Sequence, residues 1–330
     1  MINEQRGTNP RTSLMFIVDC SLITGKTMPA DVILRTLNLG KRYKNRWAAE
    51  DINLEIHRGD VFGFLGPNGA GKSTTIRMIL SLIQPTTGSV ELFGHQLQTE
   101  REKALAKVAG IVEKPDFYLY LTACRNMEIA GSLTLGHTPE KRKIADALGL
   151  VGLSERGQDR VKTFSHGMKQ RLGIAQALLC DPELVVLDEP TNGLDPQGMK
   201  EVRELIGQLS NQRGITVFLS SHLLNEVEQV ATRMAIINKG KLVVQGKVEE
   251  LLRERANKII FSVKPEKRAL LVLKKMKNVK NAAVIGDGIT ANIDTKSIPA
   301  VVSGLVRANC KVTSVRQQRS LEEYFLSVTE

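Results

Sequence analysis

Residues 61–73 read Val61-Phe62-Gly63-Phe64-Leu65-Gly66-Pro67-Asn68-Gly69-Ala70-Gly71-Lys72-Ser73. The first five are almost all apolar, as in a strand buried on both faces of a parallel sheet. The next eight fit G-x-x-x-x-G-K-[ST], and a helical stretch, Ser73 to Leu82, follows. Strand, glycine-rich loop and helix in that order are the context a phosphate-binding loop requires. Glycines let backbone N–H groups turn inward around an anion, and the helix N-terminus adds its dipole. Gly66, Pro67, Asn68, Gly69, Ala70 and Gly71 are therefore the candidate cradle. Lys72 is expected to reach the β- and γ-phosphates of a nucleotide. Ser73 is expected to hold Mg²⁺ through its hydroxyl, and Thr74 to meet the α-phosphate.

Outward from the loop, Val32 to Asn38 and Ile52 to His57 read as half-buried antiparallel strands, because Ile52, Leu54 and Ile56 alternate with polar residues. Residues from about 114 to 180 read mostly as helix and loop. Leu184-Val185-Val186-Leu187 is a second buried strand. Met199 to Asn211 reads as helix, Ile215 to Ser220 as strand, Leu224 to Ala231 as helix and Met234 to Asn238 as strand. Apolar strands alternating with helices imply an α/β fold with a mostly parallel central sheet. Beyond Leu252 the order becomes β-α-β-β-α-β, with a turn at Gly286-Asp287-Gly288 and a final helix Leu321 to Val328. That order predicts a small α+β ferredoxin-like domain.

The second buried strand ends in Asp188-Glu189. Successive strand side chains point to opposite faces, so the two carboxylates can do different work. Asp188 is placed to bind Mg²⁺ through water, and Glu189 to polarise an attacking water.

Phe164-Ser165-His166-Gly167-Met168-Lys169-Gln170-Arg171 precedes a helical stretch, with 22 residues between Ser165 and Asp188. Here the sequence resembles the ATP-binding-cassette (ABC) ATPases, whose signature is a Leu-Ser-Gly-Gly-Gln-like string. The resemblance spans residues 32–252. It implies a P-loop NTPase with an antiparallel β subdomain and a helical subdomain at about 114–180. It implies that Tyr43 stacks on adenine, that Asp195 in Asn192-Gly193-Leu194-Asp195-Pro196 makes a contact across a dimer interface, and that His222 meets the γ-phosphate and attacking water. Ser165 and Gly167 match the signature, whereas His166 stands where Gly is commonest and Met168 where Gln is. Glu113 stands where the family has Gln, at a position that touches Mg²⁺ or the attacking water.

The resemblance further implies catalysis by Glu189, His222 and Lys72, with ATP and Mg²⁺ as cofactors. It implies a head-to-tail dimer with ATP between Lys72 of one copy and Ser165 and Gly167 of the other. Ile111 to Tyr118, and Ser165 to Leu178, resemble the bacitracin-export and lantibiotic-immunity branch. Ser320 to Leu326 resembles multidrug-exporter subunits. The implied function is ATP hydrolysis that powers a separate membrane permease, for export of a peptide antibiotic or drug-like compound. Glu113 to about Leu135, with Phe117, Tyr118, Tyr120 and Leu121, is the candidate docking surface. The alternative is a non-transport member acting in translation or DNA maintenance. One phosphate loop, and Lys72 and Ser165 only 93 residues apart, leave little room for the second cassette or long insertions those types carry.

The chain has 330 residues, 25% of them charged, with a formal charge of +11. Wholesale disorder is excluded by that composition. No stretch reaches the roughly 18 to 20 consecutive apolar residues of a spanning helix, so the chain is not expected to cross a membrane by itself; the resemblance implies a cytoplasmic location, peripheral on the inner face of the cell membrane. Residues 1–31 read as a disordered tail, and the four cysteines, none at metal-ligand spacing, as reduced thiols. Residues 253–330 hold 15 basic and 7 acidic residues, against 31 and 28 before them. The excess of positive charge is therefore concentrated in the small accessory domain. Few aromatics interleave it, so no nucleic acid is expected. A solvated face is the plain reading, and a weak contact with an anionic membrane surface the other.

Overall fold

A computed structural model describes residues 31–251, 258–285 and 288–317. Except for Asp31, the expected N-terminal tail lies outside them, as do the boundary at Leu252, Gly286-Asp287 and the final helix Leu321 to Val328.

Strands β1 (Val32–Tyr43), β2 (Arg46–His57), β4 (Thr87–Leu92) and β5 (His95–Gln96) form an antiparallel sheet in the order β2-β1-β4-β5. β1 runs five residues past the expected Asn38. Register shifts at Thr36/Leu39, Leu39/Lys41 and Lys41/Arg42 break the period of two there, which hides the strand from an alternation test. A six-stranded sheet has the order β10-β9-β3-β8-β7-β6. It comprises β3 (Val61–Leu65), β6 (Val108–Ile111), β7 (Leu184–Leu187), β8 (Thr216–Ser221), β9 (Arg233–Asn238) and β10 (Lys241–Lys247). All of its neighbours are parallel except β10, which pairs antiparallel with β9 at the edge.

The central strands are apolar on both faces because both faces are covered. Val61, Leu65, Val185, Leu187, Val217 and Leu219 enter a core shared with helices α3 (Ala123–Leu135), α4 (Lys141–Leu150), α5 (His166–Leu178) and α6 (Pro196–Arg213). Their alternates Phe62, Phe64, Leu184, Val186 and Phe218 enter a second core, against the antiparallel sheet and helix α1 (Lys72–Ile79). The Phe62 and Phe218 rings stack there at 5.6 Å. The short helices α2 (Arg101–Leu105) and α7 (Leu224–Glu228) complete this part. α6 is longer than the expected 199–211 because Asp195 caps it, Pro196 opens it and Gly214 ends it at φ 65°. α1 stops short of Leu82, since Ser81 has φ 56°.

The third sheet is antiparallel, in the order β12-β13-β11-β14. Its strands are β11 (Lys258–Lys264), β12 (Val279–Ile285), β13 (Gly288–Ile293) and β14 (Lys311–Gln317), with helices α8 (Glu266–Lys275) and α9 (Ile298–Arg307) between them. This is the expected ferredoxin-like order. It has its own core of Ile259, Phe261, Val263, Ala269, Leu273, Ile289, Ala291, Ile293, Val301 and Leu305.

Glu183, just before β7, accepts hydrogen bonds from Arg58 before β3 and from Lys107 before β6, so one carboxylate ties three strand starts. The Arg58 bond, then the Lys107 bond, lowers its pKa below the ordinary 4.5. A depressed pKa stabilises the fold above the ordinary value, and that contribution is lost as pH falls through the depressed one. Glu183→Gln should therefore lower the urea midpoint at neutral pH by the equivalent of about 1 kcal/mol or less. The difference from wild type should close as the pH is brought below 4.5; a difference independent of pH would refute the charge-based account.

Candidate functional site

Parallel strands deliver their carboxyl ends to one edge of the sheet, where α/β folds bind ligands. Leu65 of β3 is level with Ser221 of β8, Leu187 of β7 with Leu219, and Ile111 of β6 with Leu187. The glycine-rich loop, Asp188-Glu189, His222 and Glu113 all follow these ends, so sequence segments far apart meet there.

The loop is shaped by close approach. Gly71 has φ 112°, and a Cβ there would lie 2.3 Å from the Ala48 carbonyl oxygen of β2. A Cβ on Gly66 would lie 2.4 Å from the Ile237 carbonyl oxygen. Lys72 is 5% exposed. Its Nζ donates to the carbonyls of Gly66 at 2.8 Å and Pro67 at 3.3 Å and pairs with Glu189 Oε1 at 3.1 Å. Glu189 Oε2 meets His222 Nδ1 at 2.9 Å. Lys72, Glu189 and His222 thus form one continuous chain of polar contacts.

A serine not singled out in the sequence holds the acids. The Ser220 hydroxyl, fully buried, donates to Asp188 Oδ1 at 2.5 Å and accepts the Glu189 N–H at 2.9 Å. Glu189 has φ 49°, a conformation that this second bond supports. Only its place beside His222 hinted at Ser220, because its partners are some thirty residues away in sequence.

Two cavities flank this chain. One, of about 390 Å³, is lined by Tyr43, Arg46, Ala48, Asn68, Gly69, Gly71, Lys72, Ser73, Thr74 and Glu189. Tyr43 is half exposed, with Lys41 Nζ 5.4 Å from its ring centroid. Gly66, Pro67 and Ala70 do not line it; they shape the loop through Lys72 and through the bond from Ala70 N to the Pro67 carbonyl. The second cavity, about 310 Å³, has Ser73, Glu113, His166, Asp188 and Glu189 among its lining residues. Ser73 and Asp188 there offer hard oxygen donors of the kind Mg²⁺ takes, so these residues fit the cation. Glu113 shares the cavity wall, but its carboxylate is largely exposed and paired with Arg77 of α1. Glu113 has φ 67°, a left-handed conformation that a non-glycine residue seldom adopts.

Ser165 and Asp195 are both helix N-caps. Ser165 Oγ accepts from Met168 N at 3.2 Å, and Asp195 Oδ1 from Gly198 N at 3.3 Å. Both are exposed, and with Gly167 they line neither of the two cavities. α5 and α6 approach closely, since a Cβ on Gly167 would be 3.5 Å from Gly198 Cα. Further along α5, a Cβ on Gly173 would come within 2.8 Å of Pro115, so α5 presses on the segment that follows Glu113. Tyr118 and Tyr120 are 61% and 80% exposed, whereas Phe117 packs against the helical core. Among the described residues there is no further cluster of metal-ligating side chains, and Cys124, Cys180 and Cys310 carry free thiols.

Residues 49–192 match the family model described as ABC transporter. The chain is 39% identical over 300 residues to the bacitracin transport ATP-binding protein BcrA of Bacillus licheniformis, covering 90% of this chain and 97% of BcrA. It is 39% identical over 235 residues to the lantibiotic transport ATP-binding protein SrtF of Streptococcus pyogenes, covering 69% of this chain and 98% of SrtF. Among solved structures, cbiO1 from Clostridium perfringens, described as part of the ABC transporter complex cbiONQ, has a TM-score of 0.62 and 27% identity. That match covers 68% of this chain and 92% of cbiO1.

The contact between Gly71 and Ala48 generates a direct test. Ala at a left-handed position costs about 1–2 kcal/mol before any clash, and every 1.4 kcal/mol is about tenfold in affinity. Gly71→Ala should bind a fluorescent ATP analogue at least about tenfold more weakly while the far-ultraviolet circular dichroism is kept. Unchanged affinity would show that the loop does not need this contact.

Proposed function

The chain belongs to the family of ABC transporter ATP-binding subunits, and on that premise we propose that it powers a separate permease for export of a peptide antibiotic or drug-like compound. It binds and hydrolyses ATP. The observation that carries the assignment of its site is the chain of contacts from Lys72 through Glu189 to His222 at the mouth of the phosphate loop.

In this reading the phosphates lie in the loop, with adenine against Tyr43 and the α-phosphate beside Thr74. Lys72 exchanges its Glu189 contact for β- and γ-phosphate oxygens, which are stronger charge-assisted partners. Glu189, relieved of Lys72, accepts a hydrogen bond from the attacking water, and His222 holds Glu189 in place and orients that water. Ser73 and Asp188 would hold Mg²⁺, which would supply positive charge against the phosphates. Catalysis is then positioning plus electrostatic stabilisation. Glu113 brings a full carboxylate to the same cavity once Arg77 releases it.

Ser165 and Asp195 are exposed, and with Gly167 they stand apart from the first cavity, which supports their use on a second copy of the chain in a head-to-tail dimer. Tyr118 and Tyr120 support a docking surface for the permease, which supplies the membrane-spanning part; among the described residues no helix is long and apolar enough to cross. The peptide-antibiotic class follows the bacitracin and lantibiotic relatives. We divide the chain into the cassette, 32–252, and an accessory domain, 253–330. SrtF uses 98% of its own length to cover 69% of this chain, which supports that division.

Glu189→Gln should lower ATP turnover by roughly 10²–10⁴-fold, the range for a lost general base, and keep ATP affinity. Comparable turnover would remove Glu189 from its role. Ser220→Ala, which frees both acids from their buried hydroxyl, should lower turnover about tenfold. The tagged chain should co-purify with a polytopic membrane protein, and Tyr118→Ala with Tyr120→Ala should lose it. Co-purification with ribosomes or DNA instead would overturn the transport reading.

A further inference from the structure

The cavity beside the phosphate loop contains one cation that no motif accounts for. Arg46 lines it together with Tyr43, Gly71, Lys72 and Thr74. It opens β2 and is paired across the hairpin with Tyr43, the last residue of β1. The positive charges that neighbour it in sequence are not part of the cavity wall. Lys41 Nζ donates to the Gln84 carbonyl at 2.7 Å, and the Arg42 guanidinium lies 5.8 Å from the Trp47 ring centroid. Lys44 is exposed in the turn, with φ 50°, and is not part of the cavity wall.

Strand geometry explains why Arg46 faces the cavity. Side chains alternate along β2. Arg46 and Ala48 share one face and both line the cavity. Trp47 is on the other face, where a Cβ on Gly40 would come within 3.0 Å of its ring. Ala48 is also the residue whose carbonyl oxygen a Gly71 Cβ would strike, so β2 touches the phosphate loop at that point. Two residues of strand, about 7 Å, then separate that contact from Arg46, in the direction of Tyr43. Arg46 therefore sits between the loop that takes the phosphates and the ring assigned to adenine.

We propose that Arg46 is a nucleotide-binding residue whose guanidinium holds the α-phosphate of ATP from the side opposite Thr74. This rests on the ATP-site reading above. The α-phosphate is the anion of a bound nucleotide that falls in this stretch, because the β- and γ-phosphates lie within the loop at Lys72. Arg presents a planar fork of donors suited to two phosphate oxygens at once. The contact is the same for ATP and ADP, so it sets affinity for the nucleotide without favouring either.

The test is equilibrium binding of ATP and of ADP to the full chain, with adenosine as a third ligand. Arg46→Ala should weaken ATP and ADP by the same factor, about tenfold or more for a charge-assisted contact, and leave adenosine unmoved. The KM for ATP should rise by that same factor, as for a contact made equally in ground and transition states. Arg46→Lys should recover part of the loss, and Lys44→Ala should change nothing. The proposal is overturned if Arg46→Ala moves neither nucleotide, if it weakens ATP alone, if adenosine is weakened as well, or if Lys44→Ala has an equal effect, which would mark a diffuse field rather than a contact. Lys72→Ala serves as the reference. Loss of ATP binding in Lys72→Ala with none in Arg46→Ala defeats only this inference, whereas no loss in either defeats the site assignment beneath it.

Discussion

An ammonium group at 5% exposure needs partners, and the site is arranged around that need at Lys72. The Gly66 and Pro67 carbonyls turn inward to take two of its hydrogens, and the Glu189 carboxylate compensates its charge. The carbonyls fold the loop back on itself around the ammonium group. Reaching Lys72 takes Glu189 into a left-handed conformation that the backbone disfavours, and the buried Ser220 hydroxyl steadies it. His222 then has a fixed carboxylate to meet. The loop, the acids and the histidine are arranged together because each satisfies the charge or polar groups of another.

The parts of this arrangement that depend on local pattern were legible in the sequence. Val61 to Leu65 and Leu184 to Leu187 are apolar without alternation because both faces are buried, and that signal survives without knowledge of neighbours. The Asp195-Pro196 start of α6 was only half read. Its cap and proline extend the helix by three residues at the front, a purely local rule that periodicity alone does not apply. β1 was truncated because bulges spoil the period of two. Ser220 and Arg77 are hidden for a different reason. Each acts on a group that is distant in sequence, and a serine or arginine in a strand or helix has no pattern that names its partner. The pairing of Glu113 with α1 belongs to the same class, since Arg77 is 36 residues away.

The positive excess of the chain has a structural counterpart. The ion pairs among the described residues run from Asp31 to Glu250, within the part built on the two larger sheets. The third sheet and its helices are held by an apolar core instead. Their lysines, such as Lys267, Lys274, Lys275 and Lys277, are exposed, and mutual repulsion among them is screened over about 10 Å at ordinary salt. This part of the chain can carry a high charge at little cost to its stability because its core does not depend on ion pairs.

The contact between Gly173 and Pro115 leaves no slack between α5 and the segment after Glu113. Packed interiors respond to displacement as solids, not as fluids. With no side chain at position 173, Pro115 seats directly on the backbone of α5, so the segment that carries Glu113 and the helix that Ser165 caps are packed as one block. Any side chain at that position would wedge the two apart.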